Sequence, residues 1–343
     1  MTADTPPRAA WPPAQDGPVL IVVIDTEEEF NWSAPFDRSA TTVANIEFQP
    51  LAQAVMDRHG VVPTYAIDYP VADTATAVSV LRPIAERGGC EIGAHLHPWV
   101  NPPHEGTVDD FHSFPGNLAP ELEREKLAIL QRRIQRAFGV RPIIYKAGRY
   151  GIGPSTFETL VELGFRIDVS VVPHTDFSAG HGPDFTRFPS SPFRPRNELV
   201  ALPLSVHFAG ALSAAGPALY PLVSSRAGQR LRAGAMLSRL GLLERLRLSP
   251  EGHTLADMKR QTRVALAHGE RYFMLTWHSS SLLPGTNPYV RTEEDRQRFL
   301  STQDAYFAFF AGACGGRTTS VSAFASSLAR DGFTSRGQTT PQD

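Results

Sequence analysis

The sequence predicts an α/β fold in which parallel strands alternate with helices along the chain. The first observation is a wholly apolar, largely β-branched run at residues 19–24, which is typical of a parallel strand covered on both faces. The second is that such runs alternate with helical segments about seven times. The third is that unusual polar residues follow the ends of these runs. Because the carboxyl ends of parallel strands meet at one face, we expect these polar residues to converge there.

The composition excludes several classes of function. The chain has 343 residues, of which 42% are hydrophobic and 20% charged, as in ordinary globular proteins. The formal net charge of −2 gives no field that would attract nucleic acid, so no nucleic-acid partner is expected. No apolar run is long enough for a membrane span, and residues 1–18 lack the apolar stretch of a secretory signal. Two isolated cysteines, Cys90 and Cys314, suit a reducing compartment, and we therefore expect a cytoplasmic protein.

The pattern along the chain predicts the individual elements. Strands are predicted at residues 19–24, 61–67, 90–97, 142–147, 165–172, 199–206 and 271–277. Helices are predicted at residues 45–59, 72–87, 119–138, 154–163, 254–268 and 293–310. Together they favour one parallel α/β domain, either a barrel or an open doubly wound sheet.

One segment, residues 224–248, interrupts this alternation. Its arginines among leucines and alanines predict an amphipathic helical insertion with a solvated basic face, and a lid or a surface for an anionic glycan is the alternative. The domain is predicted to span residues 19–330. A proline-rich leader at 1–18 and a polar tail at 331–343 are predicted to be disordered.

An acidic motif, Asp25-Thr-Glu27-Glu28-Glu29, follows the first predicted strand directly. Alternate residues of an extended chain point to one side, so Asp25 and Glu27 are expected to face a common cavity. The pair can therefore hold one general base and one metal ligand. For Glu28 and Glu29 the simpler interpretation is a solvated helix N-terminus, since acids are favoured at that end of the helix dipole.

Two histidines, His95 and His97, end the third predicted strand and project from the same face of it. Pro98 disfavours helix at His97 and keeps that residue extended. Two neutral imidazoles and one carboxylate form a facial site that leaves positions open for water. We therefore predict a divalent metal held by His95, His97 and one carboxylate of the Asp25–Glu27 pair, with His104 as a further candidate.

Polar residues also follow three later predicted strands. Lys146 lies at the end of the fourth strand and Arg149 in the glycine-containing loop after it, Asp168 lies in the fifth strand, and His278 follows the seventh. His278 is well placed to donate a proton to a leaving group. These positions complete a candidate site assembled from five strands.

In their order and composition, these motifs resemble those of the polysaccharide deacetylase superfamily (the NodB-homology domains of carbohydrate esterase family 4). The resemblance is closest to the WalW-like branch and covers residues from about 19 to about 310. It carries three departures: Thr26 stands where the commonest first motif has a second aspartate, the two histidines are closer together than usual, and Lys146 replaces an arginine. The fold that the resemblance implies is a distorted, incomplete (β/α)7 barrel, here a single domain with a helical insertion.

The resemblance also implies a role for each residue. Asp25 corresponds to the general base, Glu27, His95 and His97 to the metal ligands, and His278 to the general acid. Lys146 or Arg149 would keep Asp25 ionised and oriented. Three aromatic side chains are candidates for stacking on sugar rings, namely Trp99, Tyr150 and Trp277.

The function implied is removal of an acyl group, in the first instance acetyl, from a small or oligomeric N-acylated sugar in polysaccharide metabolism. Zinc is the first choice of metal, and cobalt, nickel, manganese or iron would also suit a carboxylate-His-His set. Two alternatives stay open: a metal-dependent hydrolase of another small amide, and a non-catalytic homologue that retains the barrel.

Overall fold

The computed structural model describes residues 17–330 of the chain. Its strands form one principal sheet of nine strands and a separate antiparallel pair. In chain order the strands are β1 (Val19–Thr26), β2 (Thr64–Ile67), β3 (Glu91–Leu96), β4 (Ile144–Ala147), β5 (Ile167–Asp168), β6 (Phe193–Arg196), β7 (Leu199–Ala201), β8 (Val206–Ala209), β9 (Glu244–Arg247), β10 (Tyr272–His278) and β11 (Arg317–Thr318).

Seven consecutive strands of the principal sheet are parallel, in the order β10-β1-β2-β3-β4-β5-β7. Strand β6 extends this row antiparallel to β7, and the short β11 pairs with β1. Every residue of β1 is buried, as expected of a strand covered on both faces. The seven-stranded parallel α/β architecture predicted from the sequence is therefore confirmed.

The barrel is incomplete because β7 and β10 do not pair with each other among the described residues. The gap between them is bridged by residues that flank the β8–β9 pair. Ser205 accepts a hydrogen bond from Leu248 N at its carbonyl oxygen (2.9 Å) and another from Met274 N at its hydroxyl oxygen (2.8 Å). Thr276 N donates to Leu248 O at 3.3 Å. The residues that flank the β8–β9 pair thus bridge the gap beside β10.

The helices surround the sheet, and several begin or end at recognisable signals. Capping boxes at Thr254 and Thr292 start two of them, and Gly139, at a φ of 75°, ends a third. The helices are α1 (Gln49–Arg58), α2 (Tyr69–Asp73), α3 (Ala75–Glu86), α4 (Pro120–Phe138), α5 (Thr156–Glu162), α6 (Gly216–Val223), α7 (Arg226–Arg230), α8 (Ala233–Arg239), α9 (Leu255–Ala267), α10 (Glu293–Gly312) and α11 (Val321–Arg330). None of these helices combines the length and the apolar character needed to cross a bilayer.

The predicted helical insertion at 224–248 is partly wrong. Helical structure begins earlier, at Gly216, and the last part of the segment is not helical but forms strand β9. Leu246 and Leu248 are buried while Arg245 and Arg247 alternate with them, which is the period of a strand.

Two predicted strands are shorter in the structure than in the sequence pattern. Of residues 165–172, only Ile167–Asp168 form β5, because the Asp168 carboxylate binds Ser170 N and its hydroxyl (3.1 and 2.6 Å) and turns the chain. Residues 199–206 contain all of β7 and the first residue of β8, which are separated at Pro203, a residue that lacks the donor a strand ladder needs. The disorder predicted for 1–18 and 331–343 lies outside the described residues, apart from Gly17 and Pro18.

Candidate metal-dependent active site

Strand register brings the predicted site residues together at the carboxyl ends of the parallel strands. Asp25 of β1 lies opposite His278 of β10, and His95 of β3 lies opposite Lys146 of β4. Glu27 follows the end of β1 directly. The convergence predicted from the sequence therefore follows from the strand pairing.

Glu27, His95 and His97 form a buried cluster. One Glu27 carboxylate oxygen lies 3.2 Å from His95 Nε2 and 3.4 Å from His97 Nε2. The Nδ1 atom of His95 is 3.0 Å from Lys146 O, and the Nδ1 atom of His97 is 2.8 Å from a Glu28 carboxylate oxygen. Because these acceptors favour a proton on Nδ1, the Nε2 lone pairs are directed at Glu27.

The donor set at this cluster fits a divalent cation. The second Glu27 carboxylate oxygen is buried and has no hydrogen-bond partner, as expected of an oxygen held for a ligand. Two neighbouring groupings of carboxylate and imidazole, Asp25-Glu27-His278 and Glu28-Asp68-His97, have similar separations. In each of these two groupings a carboxylate already has other partners. Asp25 forms an ion pair with Lys146, and Asp68 accepts hydrogen bonds from Glu28 N and Val71 N. Glu27, His95 and His97 therefore are the residues that would hold the metal.

Asp25 is paired with Lys146, whose side chain is fully buried. Lys146 Nζ donates to Asp25 Oδ1 and to Thr276 Oγ1, the latter at 2.9 Å. Burial would raise the pKa of Asp25, but the Lys146 ammonium and the nearby imidazoles outweigh it and lower that pKa from 3.8 to about 2. Lys146 thus holds Asp25 as a carboxylate.

His278 is held between two carboxylates. Its Nε2 lies 3.6 Å from Asp25 Oδ2, and its Nδ1 lies 2.8 Å from Glu251 Oε2. Glu251 also accepts from His278 N (2.9 Å) and from the Ser281 hydroxyl (2.6 Å). Burial disfavours the imidazolium, but the Glu251, Glu27 and Asp25 carboxylates outweigh it and raise the pKa of His278 from 6.5 to about 10. His278 is therefore protonated at neutral pH and able to donate.

The cluster opens into a cavity of about 320 Å³, in the range of small-molecule sites. Asp25, Glu27, His95, His97 and His278 all line it. Its walls are mostly aromatic and include Trp32, Phe36, Phe114, Tyr150, Phe177 and Tyr289. The cavity thus combines convergent polar groups with flat apolar surfaces.

The loop after β4 approaches the metal cluster closely. A Cβ atom on Gly148 would lie 2.4 Å from Leu96 O and 2.5 Å from a His97 ring carbon, so only glycine fits there. The next two residues, Arg149 and Tyr150, have φ angles of 54° and 59°, in the left-handed region. This backbone places both side chains on the cavity.

Two cations, Lys146 and Arg149, were predicted to orient Asp25. Of these, only Lys146 contacts that carboxylate. The Arg149 guanidinium donates to the Ser113 hydroxyl and lies over the Phe114 ring, 4.0 Å from its centroid.

The prediction that aromatic side chains stack on a sugar is wrong for two of the three residues. Trp99 is buried, stacks on the His97 ring at 4.2 Å and donates from Nε1 to Glu28 at 2.8 Å, so it supports a candidate metal ligand from behind. Trp277 is fully buried and packs edge-on against Phe299, away from the cavity. Tyr150 does line the cavity. His104 is exposed and outside the cluster.

Sequence reasoning missed several residues at or behind the cavity, among them Glu28, Trp32, Arg247 and Glu251. Glu28 is fully buried, so its interpretation as a solvated helix N-terminus is wrong. Trp32 lies edge-on to His278 at 5.1 Å. The alternation of Arg245 to Leu248 is a signal that could have identified the strand carrying Arg247. A lone glutamate in a polar loop, as at Glu251, carries no such signal.

Comparison with solved structures shows which known fold this barrel has. The sequence matches no protein-family model and no curated protein. A protein of Mycobacterium smegmatis, provisionally assigned as a polysaccharide deacetylase, has 18% identity and a TM-score of 0.57 over 99% of both chains. A Pseudomonas aeruginosa PAO1 protein with the same provisional assignment has 13% identity and a TM-score of 0.50 over 91% of both chains. The chain therefore has the fold of the polysaccharide deacetylases, as the resemblance implied, and the WalW-like branch stays a prediction.

Proposed function

We propose that this protein is a metal-dependent hydrolase that removes an acyl group, in the first instance acetyl, from an N-acylated sugar. One observation carries the proposal: a Glu-His-His cluster shares a cavity with an ionised carboxylate and a protonated imidazole. These are the base and the acid that amide hydrolysis requires. Asp25 and His278 supply them, and Lys146 and Glu251 keep each in its charge state.

The reaction adds water to an amide and yields a carboxylic acid and an amine. A divalent cation held by Glu27, His95 and His97 would supply Lewis-acid chemistry, which polarises an acyl carbonyl and acidifies water. Asp25 is positioned to accept the proton of the attacking water. His278 is positioned to protonate the departing sugar nitrogen, which is otherwise a poor leaving group.

Three features support a sugar as the substrate. The aromatic walls of the cavity offer flat apolar faces, with Tyr150, Trp32 and Tyr289 beside the acid and base. The cavity volume of about 320 Å³ suits one sugar unit of a small or oligomeric substrate. The two solved structures of the same fold carry assignments as polysaccharide deacetylases.

Zinc is the proposed metal, because imidazole and carboxylate ligands suit it, and cobalt, nickel, manganese and iron suit the same donors. A cytoplasmic location is proposed with it, since both Cys90 and Cys314 are free thiols.

The test begins with the metal content of purified protein after reconstitution with zinc. A His95→Ala/His97→Ala double variant is compared with His104→Ala, which changes an exposed histidine outside the cluster. We expect close to one zinc per chain in the parent and in the control, and its loss in the double variant. Equal zinc content in all three proteins would contradict the site.

The second part of the test is turnover. N-acetylglucosamine, its oligomers and a small aromatic acetamide are incubated with the zinc-loaded protein, and released acetate and free amine are measured. We expect turnover of the sugars and a loss of about 100-fold or more in Asp25→Asn. Turnover of the small amide alone would favour another amide hydrolase. Bound zinc without turnover of either would favour a non-catalytic homologue.

A further inference from the structure

The cationic side chains on the cavity wall are not all matched by carboxylates there. Asp25 is paired with Lys146, and His278 is paired with Glu251. Glu27, the remaining carboxylate on the cavity wall, faces the two metal-binding imidazoles. Two further cations, Arg149 and Arg247, line the same cavity. Once the catalytic pairs and the metal ligand are accounted for, these two guanidinium groups are left without a matching carboxylate inside the cavity.

Arg247 reaches the cavity from outside the parallel barrel. It is the last residue of β9, paired in register with Val206, and its alternating neighbours Leu246 and Leu248 are buried. Its Nη1 donates to the Tyr150 hydroxyl at 2.8 Å. None of the ion pairs within residues 17–330 includes Arg247. A hydroxyl partner orients a guanidinium without neutralising it, so the positive charge remains available to a ligand.

Arg149 is fixed on the same cavity by aromatic faces. Its guanidinium carbon lies 4.0 Å from the Phe114 centroid and 4.9 Å from the Phe36 centroid. Its nearest carboxylate, Asp110, is 3.8 Å away and has a side chain that is 77% exposed, so solvent screens that pair. Its polar contacts use Nη1, which leaves other donors of the planar fork unused.

We infer that the cavity selects an N-acyl sugar bearing an oxyanion, a carboxylate or a phosphate, which Arg247 binds and Arg149 attracts. The inference rests on the proposed function and specifies its substrate class. Guanidinium groups recognise both oxyanions through paired N–H donors, which a neutral sugar does not engage in the same way. An anion in a cavity with two unmatched cations is also attracted before contact.

The experiment compares neutral and anionic substrates on the zinc-loaded protein. The probes are methyl N-acetylglucosaminide, N-acetylglucosamine 1-phosphate and the corresponding N-acetylated uronic acid. For each, kcat/KM is measured with the parent, Arg247→Gln, Arg247→Lys and Arg298→Gln. Arg298 is the matched control, because its side chain is 71% exposed on α10 and lies outside the cavity.

The decisive quantity is the ratio of kcat/KM for an anionic probe to that for the neutral probe. We expect the parent ratio to exceed 1 and to fall by about 10-fold or more in Arg247→Gln, with partial retention in Arg247→Lys. Arg298→Gln should keep the parent ratio. Selective turnover of the phosphate or of the uronic acid identifies which oxyanion the cavity fits. A parent ratio near 1, or an unchanged ratio in Arg247→Gln, would overturn the inference.

Binding separates a failure of this inference from a failure of the proposed function. Calorimetric titration of the same three sugars into zinc-loaded Asp25→Asn, with and without Arg247→Gln, measures affinity without the heat of hydrolysis. Preferential binding of an anionic sugar that depends on Arg247, without turnover, would support the anion site and contradict the hydrolase. Turnover with equal affinity for neutral and anionic sugars would support the hydrolase and overturn the anion site.

Discussion

Replacing Glu251 with glutamine is expected to move the alkaline limit of activity to lower pH. The Glu251 carboxylate is the largest of the influences that favour the imidazolium of His278, whose pKa is raised from 6.5 to about 10. This rise corresponds to roughly 5 kcal/mol in favour of the protonated form, at about 1.36 kcal/mol per pKa unit. Glutamine keeps the shape of the contact but not its charge. Burial of His278 then favours the neutral ring, and the general acid is lost at a lower pH.

The assay is the dependence of kcat/KM on pH for zinc-loaded parent and Glu251→Gln with one N-acetyl sugar. We expect the alkaline limb of the variant to lie about 2 pH units or more below that of the parent. The control is Ser281→Ala, which removes one hydrogen bond to Glu251 (2.6 Å) and keeps its charge. Its alkaline limb should stay near that of the parent. Coincident alkaline limbs in the parent and Glu251→Gln would refute the assignment of His278 as an acid held by Glu251.

The same substitution has a second, independent consequence for stability. Because the folded-state pKa of His278 is raised, its contribution to the free energy of unfolding is full below 6.5 and is lost as the pH rises through about 10. The parent should therefore lose stability across that window, as measured by urea denaturation at a series of pH values. Glu251→Gln should lose much less over the same window.

Two further predictions concern the other buried charges. Lys146→Met should lower the free energy of unfolding by about 3–5 kcal/mol, because it leaves Asp25 buried without a counter-charge, whereas Lys146→Arg should retain most of it. Denaturation of both variants checks this, and a methionine variant as stable as the parent would contradict it. Glu28→Gln should weaken zinc binding by about 10- to 100-fold, because it replaces the carboxyl group that holds His97 Nδ1 and orients the ring. Competition with a chromogenic chelator measures the zinc affinity. The control is Glu29→Gln, because the Glu29 carboxylate accepts hydrogen bonds from Asn45. Equal zinc affinities of the two variants would count against the role of Glu28.

The parallel strands were predictable because their sequence signal is local. A buried strand such as β1 needs apolar residues on both faces, and few other structures produce that run. Strand β9 was missed although Arg245 to Leu248 alternate strictly, because the four residues directly follow a helical stretch. Its pairing with β8 joins residues far apart in sequence, and local periodicity contains no information about such a partner.

In the site, too, residues with a local sequence signal were predictable and residues that depend on distant contacts were not. Asp25, Glu27, His95 and His97 were predictable because each lies at a strand end and belongs to a compact motif. The supporting carboxylates were not, because their importance comes from contacts across the fold, such as Glu28 with a histidine 69 positions later. Trp99 illustrates the reverse error. Proximity in sequence to a metal ligand suggested a binding surface, whereas packing placed the ring behind that ligand.

The segment that bridges the open side of the barrel also contributes the support of the candidate acid. Strands β1 to β4 alone bring Asp25, Lys146 and the metal ligands together. Glu251 follows β9, and its contact with His278 joins this segment to β10. A chain without these contacts has the residues that would hold the metal but lacks a supported acid. The contacts of this one segment therefore link closure of the barrel to a complete set of candidate catalytic groups.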